Sequence, residues 1–460
     1  MTRRLLLACA FAAYAAPAHA ADAARPNVLF IFIDDLRPEC GCYGVAGIKT
    51  PNIDKLAAAG VRFDRAYCQF PLCNPSRTSL LTGRYPIHTG VLDNTTWFGA
   101  AHPDWVTLPK YFKQHGYPTL RTGKVFHGGI DDTGAWTEGG EKRNFEGARF
   151  TPQRPANRQQ QSDRWVVLDG DGESHGDYKS AAKAIDYLRK HKDGPFFLAF
   201  GLSRPHSPPT APKTYFDLYD PKDVPLPPDF APTPAAPPGL PKQSITPNGD
   251  LFIRREATPE QAKEMKRAYW ASTSWVDWNV GRVLAELDAL GLRDKTVIVL
   301  WGDHGYHLGE KGKWAKHGSL YEVGARVPLI VAAPGAKGNG KVCPRVVQTL
   351  DLYPTLCELC GLPTPAGLDG RSIVPLLNDP AAEWDHPAYT VAGNTNRLVG
   401  VAVRTDHYRY AEYGGGAGGA MLFDEQADPH EMKNLADDPA LAAVKEKLSA
   451  LAKQHAAEKK

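Results

Sequence analysis

No stretch of this 460-residue chain is long and apolar enough to span a bilayer. An excess of charge of one sign is lacking too. The formal net charge is +3, the signs are mixed, and no long basic block occurs before the last residues, so nothing argues for nucleic acid. Paired metal-binding cysteines are lacking. Cys357 and Cys360 stand two residues apart, but no second ligand pair follows at zinc spacing, which leaves core thiols or a disulfide. Asn-x-Ser/Thr occurs once, at Asn94-Thr95-Thr96, and says little about the host.

What is present begins with a leader. Arg3 and Arg4 precede the short apolar run Leu5 to Ala16, and Ala18-His19-Ala20 is a small-x-small cleavage site. Residues 1–20 thus read as a signal peptide. The expectation is an exported protein without a membrane span, periplasmic or secreted, or lysosomal in a eukaryote. Of the eight cysteines, Cys9 leaves with the leader. Setting Cys73 aside, Cys40, Cys42, Cys68, Cys343, Cys357 and Cys360 are an even number, which permits disulfides without assigning them.

Continuous apolar runs mark buried strands at Pro26–Ile33, Pro195–Leu202, Lys295–Trp301 and Val327–Ala333. The first ends in Asp34-Asp35, the second in Ser203-Arg204-Pro205-His206 and the third in Gly302-Asp303-His304. Two acids at a strand end fit a ligand site of an open α/β sheet, or else an Asp turn or cap. Thr119 to His127 reads as a further strand delivering Lys124 and His127 to a loop. Helices are expected at Thr50–Gly60, Val106–Gly116, Tyr178–His191 and Thr258–Leu290. The polar, Gly-rich region 131–177 reads as a long insertion, and the Pro-rich stretch 217–247 as an extended surface segment. Alternating strands and helices predict an α/β sandwich with a mostly parallel sheet. Residues 398–404, 408–413 and 420–423 read as short antiparallel strands, and 439–455 as a charged terminal helix. The expected domains are 26–377, catalytic, and 385–460, a C-terminal subdomain.

One run carries the chemistry. In Cys73-Asn74-Pro75-Ser76-Arg77-Thr78-Ser79-Leu80-Leu81-Thr82-Gly83-Arg84, Asn74 reads as an N-cap, Pro75 as the first helical residue and Gly83 as the stop. Cys73 would then lie just ahead of a helix N-terminus, where an anion is favoured, with Arg77 and Arg84 as fixed positive charges. C-x-P-S-R followed by T-G-R resembles the signature of the type I sulfatases, whose fold is an alkaline-phosphatase-like sandwich.

The resemblance implies that Cys73 is converted to formylglycine by a formylglycine-generating enzyme, and that the aldehyde hydrate attacks the sulfur of a sulfate ester. Pro75 and Arg77 belong to the recognition signal, and Arg77 also holds the hydrate. Asp34, Asp35, Asp303 and His304, with the Cys73 side chain, match the ligands of one divalent cation, Ca2+ by their hardness. Lys124 and His127 match the residues that contact the sulfate and the formylglycine. His206 matches an acid toward the leaving group, Lys316 a second sulfate-binding lysine, and Arg204 stands as a cation at the substrate. His304, where many relatives have Asn, together with the runs 123–127, 204–206 and 309–316, is similar to the iduronate-2-sulfatase branch. The implied substrate is a sulfated saccharide with a 2-O-sulfated uronic acid. Sulfatase action on another sulfated glycan, hydrolysis of a phosphonate or phosphodiester, and an inactive glycan binder are the alternatives.

Overall fold

The computed structural model describes residues 25–143, 147–149, 163–394 and 397–458. The leader, residues 1–20, lies outside them. Thirteen strands are assigned among the described residues. They are β1 (Asn27–Asp34), β2 (Val61–Tyr67), β3 (Thr119–Thr122), β4 (Val166–Leu168), β5 (Phe197–Pro205), β6 (Thr210–Pro212) and β7 (Thr296–Gly302). β8 (Arg326–Ala332), β9 (Val342–Gln348), β10 (Ala388–Asn394), β11 (Arg397–Arg404), β12 (Tyr408–Tyr413) and β13 (Ala420–Asp424) follow. The helices used below are α1 (Pro51–Ala59), α2 (Cys73–Thr82), α3 (Gly176–His191), α4 (Pro259–Ala289), α5 (Leu352–Leu359) and α6 (Ala442–Ala457).

The main sheet has seven strands in the order β3-β5-β1-β7-β8-β2-β9. Every pairing is parallel except the two made by β8, which runs against both β7 and β2. The expected sandwich is therefore present, with one reversed strand inside it. β1 shows why its run is apolar throughout. Val28, Phe30 and Phe32 enter one core with Leu352, Leu356 and Leu376, whereas Leu29, Ile31 and Ile33 enter the other with Ile53 of α1, Ala184 of α3 and Val280 of α4. A strand covered on both faces has no polar side to show.

α4 starts as its sequence indicates. The Thr258 hydroxyl accepts from the Gln261 amide, and the Gln261 side chain accepts from the Thr258 amide. At α2 the expectation needs correction. Leu72 occupies the cap position and Cys73 is itself the first helical residue, although Gly83 does end the helix at φ 65°. Asn74 is drawn elsewhere: its side-chain amide donates to the carbonyls of Asp93 (2.9 Å) and Thr96 (2.7 Å), and its backbone amide donates to Asn94 Oδ1. Two carbonyls of a neighbouring loop outcompete the local cap.

β10 to β13 form a second, antiparallel sheet in sequence order, onto which α6 packs. Its core includes Val391, Val403, Tyr410 and Leu448, and Phe70 and Leu72, immediately before Cys73, join it. The Pro-rich stretch is more than a surface ribbon: near its end the Lys313 ammonium bonds the Thr246 hydroxyl at 2.7 Å, and just beyond it Asn248 Oδ1 accepts the Trp314 amide at 2.7 Å. All seven described cysteines are free thiols, with Cys357 and Cys360 buried at α5.

Candidate active site

Four adjacent parallel strands, β3, β5, β1 and β7, end on one edge of the sheet. The residues just beyond or at their ends are, in spatial order, Lys124 and His127, Arg204 and His206, Asp34 and Asp35, and Asp303 and His304. The C-terminal edge of such a sheet is where ligand sites form. The loops fit only because glycine stands on both sides of the contact. Gly123 takes φ +70°, and a Cβ on Gly201 would collide with the Lys124 backbone. After β1, Asp35 adopts a left-handed φ of 60°, which turns the chain so that two consecutive carboxylates face one space.

Asp34, Asp35, Cys73 and His304 each offer one ligand atom, and these atoms lie within 4.8 Å of one another; all four residues are buried. His304 Nδ1 bonds the Gly305 carbonyl at 2.9 Å, so that nitrogen carries the proton. Nε2 points into the cluster, 3.3 Å from Asp35 Oδ1 and 3.4 Å from Cys73 Sγ. Asp303, expected among the ligands, stands beside this four-residue cluster and not in it: its Oδ1 accepts the Asp35 amide at 3.0 Å and lies 3.5 Å from His304 Nε2. Clustered carboxylate oxygens and a tautomer-fixed imidazole are a donor set that fits a hard divalent cation.

Fixed cations surround the acids. Arg77, wholly buried, donates Nε to Asp303 (2.9 Å) and Nη2 to Asp34 (3.3 Å), and Nη1 to the carbonyls of Lys124 (2.7 Å) and Val125 (2.9 Å). The Lys124 ammonium pairs with Asp34 and stands 3.8 Å from Cys73 Sγ. Lys316 donates to both Asp35 oxygens, at 2.9 and 2.7 Å. Burial alone would raise the Asp34 pKa, but Lys124, His206 and Arg77 together hold it well below the usual carboxylate range. Burial, reinforced by Asp34, pushes the Cys73 thiol well up, so the unmodified side chain is a protonated thiol and a poor nucleophile.

His206 Nε2 lies 4.0 Å from Asp35, and burial lowers its pKa. His127 is held neutral by burial and by Lys124, and its Nδ1 has no hydrogen-bond partner among the described residues. Arg204 is placed differently from a free substrate cation: its Nη1 donates to the carbonyls of His206 and Pro208 and so braces the loop that carries His206. That loop is gripped from behind by Asp177, which accepts from the Ser203 amide (2.9 Å), the Ser203 hydroxyl (2.8 Å) and the Arg204 amide (2.9 Å). Asp177 and Asp250, which pairs with Lys316 at 3.1 Å, escape sequence reasoning. An acid in the first turn of a helix and an acid after Pro-Asn-Gly read as a cap and a turn.

The sulfatase family model matches residues 26–362, and a second model, described as N-sulphoglucosamine sulphohydrolase, C-terminal, matches 309–458. A sulfatase of Formosa agariphila is 34% identical over 449 residues, 93% of this chain and 86% of that protein. Human iduronate 2-sulfatase is 33% identical over 400 residues, 74% of this chain and 70% of that protein. Among solved structures, a 2-O GAG sulfatase superposes with a TM-score of 0.68 at 26% identity, covering 94% of this chain and 92% of the other. The phosphonate monoester hydrolase of Agrobacterium radiobacter shares the fold, with a TM-score of 0.74 at 24% identity over 94% and 96% of the two chains.

Proposed function

This chain belongs to the sulfatase family, hydrolases of sulfate esters, and from that premise we propose that it removes the 2-O-sulfate of a uronic acid in a sulfated saccharide, with Cys73 acting as formylglycine. The observation that carries the reading is the convergence of Cys73, the Asp34–Asp35–His304 cluster and the two lysines, Lys124 and Lys316, within one buried site. The narrower substrate is supported by the likeness to human iduronate 2-sulfatase and to the 2-O GAG sulfatase. In this reading residues 1–20 export the protein, and a formylglycine-generating enzyme modifies it.

Asp34, Asp35, Asp303 and His304, with the modified Cys73 side chain, would hold the divalent cation, calcium in this reading. That ion would draw negative charge from the sulfuryl oxygens. Lys124 and Lys316 bind the same oxygens, where charge accumulates as the ester bond breaks. Arg77 spans Asp34 and Asp303 and fixes the side on which the Cys73-derived hydrate stands. As formylglycine, Cys73 would supply a hydrate hydroxyl as the nucleophile toward sulfur, and His206 would pass that hydroxyl's proton to the departing alcohol oxygen. A hydrated aldehyde carries a second hydroxyl, so the residue would be able to release sulfate and return to its starting form once that hydroxyl gives up its proton.

The test is sulfate release from protein whose Cys73 peptide carries the aldehyde by mass spectrometry. The panel holds 2-sulfated uronic acid disaccharides, N- and 6-sulfated glucosamine, sulfated galactans, an aryl sulfate and a phosphonate ester, with Cys73→Ala as the inactive control. Selective release from the 2-sulfated uronic acid is expected. Release from another sugar alone refutes the substrate. Turnover of the phosphonate with no sulfate ester cleaved, or full activity of Cys73→Ala, refutes the reaction or its nucleophile.

A further inference from the structure

Lys316 is the one site lysine held by two carboxylates. Its Nζ lies 2.7 Å from Asp35 Oδ2 and 3.1 Å from Asp250 Oδ2, and only 4% of its side chain is exposed. Burial opposes a charge there, but Asp250 and Asp35 outweigh it and keep the ammonium charged. The two anchors differ in kind. Asp35 belongs to the four-residue ligand cluster, so any cation bound there competes for the oxygens that Lys316 contacts. Asp250 does not belong to that cluster.

Asp250 is also mounted rigidly. It follows Asn248, whose side chain accepts the Trp314 amide at 2.7 Å and donates to the Gly312 carbonyl at 3.3 Å. The next residue, Leu251, donates its amide to the Trp314 carbonyl at 3.3 Å. The segment carrying Asp250 is thus fastened to the residues just before Lys316. The two ends of the Asp250–Lys316 pair are therefore tied to each other through neighbouring hydrogen bonds, and the pair spans a chain separation of 66 residues that no local motif encodes.

We propose that Asp250 is the positioning residue of Lys316: it holds the ammonium over the site when Asp35 is engaged by a cation, so that Lys316 meets the sulfuryl group without leaving its anchor. This rests on the sulfatase reading for what Lys316 does, and on geometry alone for what Asp250 does. A long amine with a single shared anchor would rotate among several positions, and misplacement by even a fraction of its reach lowers turnover sharply.

Two measurements test it, on wild type, Asp250→Asn, Asp250→Glu, Lys316→Ala and the double variant Asp250→Asn/Lys316→Ala. The first is the rate at which Lys316 is acetylated by acetic anhydride, read by peptide mass spectrometry with and without calcium. Freeing the amine from a charge-assisted hydrogen bond raises the rate roughly tenfold in Asp250→Asn, more in calcium than in chelator, and Asp250→Glu restores part of the protection. An unchanged rate overturns the proposal, whether or not the protein cleaves sulfate esters. The second is kcat and KM for sulfate release. Asp250→Asn lowers kcat/KM, and the double variant is no worse than Lys316→Ala alone, because Asp250 affects turnover through that lysine. Losses that multiply overturn it. Protection as expected in a wild type that releases no sulfate leaves the anchoring intact and refutes the sulfatase reading instead.

Discussion

Replacing Arg77 by Met keeps most of the buried stem and removes the guanidinium. The side chain is 0% exposed, as is that of Asp303, and that of Asp34 is 1% exposed, so no water takes the place of the four hydrogen bonds it makes. Removing one partner of a buried ion pair costs about 3–5 kcal/mol, because the remaining charge stays desolvated and uncompensated. Unfolding entropy of about 2.1 cal/mol/K per residue gives about 1 kcal/mol/K for a chain of this length, so about 4 kcal/mol lowers Tm by about 4 °C. The assay is thermal unfolding in chelator, so that no divalent cation screens the acids. Arg77→Lys, which keeps the charge but loses the fork, falls between the two. A shift below about 1 °C for Arg77→Met would show that Asp34 and Asp303 are compensated without the guanidinium, and would refute the reasoning.

Two further outcomes follow from single groups. Asp177→Ala takes three acceptor contacts from Ser203 and Arg204 and lets the His206 loop drift, so kcat/KM falls roughly 10–100-fold with the fold intact; unchanged kinetics would show that Arg204 braces the loop alone. His455 is buried against Tyr85 and Tyr389, near His88, Asp369 and Glu458, and burial lowers its pKa from 6.5 to about 3. Between those values the unfolded chain binds more protons than the folded one, so stability rises with pH across the window and is lost as pH falls through it. The contribution is at most about 5 kcal/mol. His455→Phe, which keeps the ring packing, should match wild type at pH 7 and outlast it at pH 4 in thermal unfolding; equal acid sensitivity assigns the effect to other groups.

Strands buried on both faces were legible from sequence because their centres are unbroken apolar runs with polar residues only at the ends, as β1, β5, β7 and β8 show. Strands with a partly exposed face were harder. In β9, Val342 and Pro344 are exposed and Arg345 is half-buried, and β2 reads Val-Arg-Phe-Asp-Arg-Ala-Tyr, so neither presents an apolar run. The first strand of the small sheet, β10, has a buried centre made of Thr390, Val391, Ala392 and Gly393, too short and too mixed to stand out. For the helix after Cys73, the local cap signal of Asn74 lost to hydrogen bonds with a loop about twenty residues away.

By itself the sequence determined the candidates for the chemistry: the Cys73 run and the paired acids, which stand out locally, and the lysines and histidines, which only the resemblance to the sulfatases singles out. Tertiary structure alone decided how they meet. It put β3, β5, β1 and β7 side by side so that four strand ends share one edge, reversed β8 within the sheet, made Arg204 a brace for the His206 loop, and brought Asp250 to Lys316. The physical reason is range. Propensity and capping act over a few residues and are written locally. A buried ion pair forms between whatever charges the packed chain brings within about 4 Å, and it holds because removal from water makes each partner costly without the other.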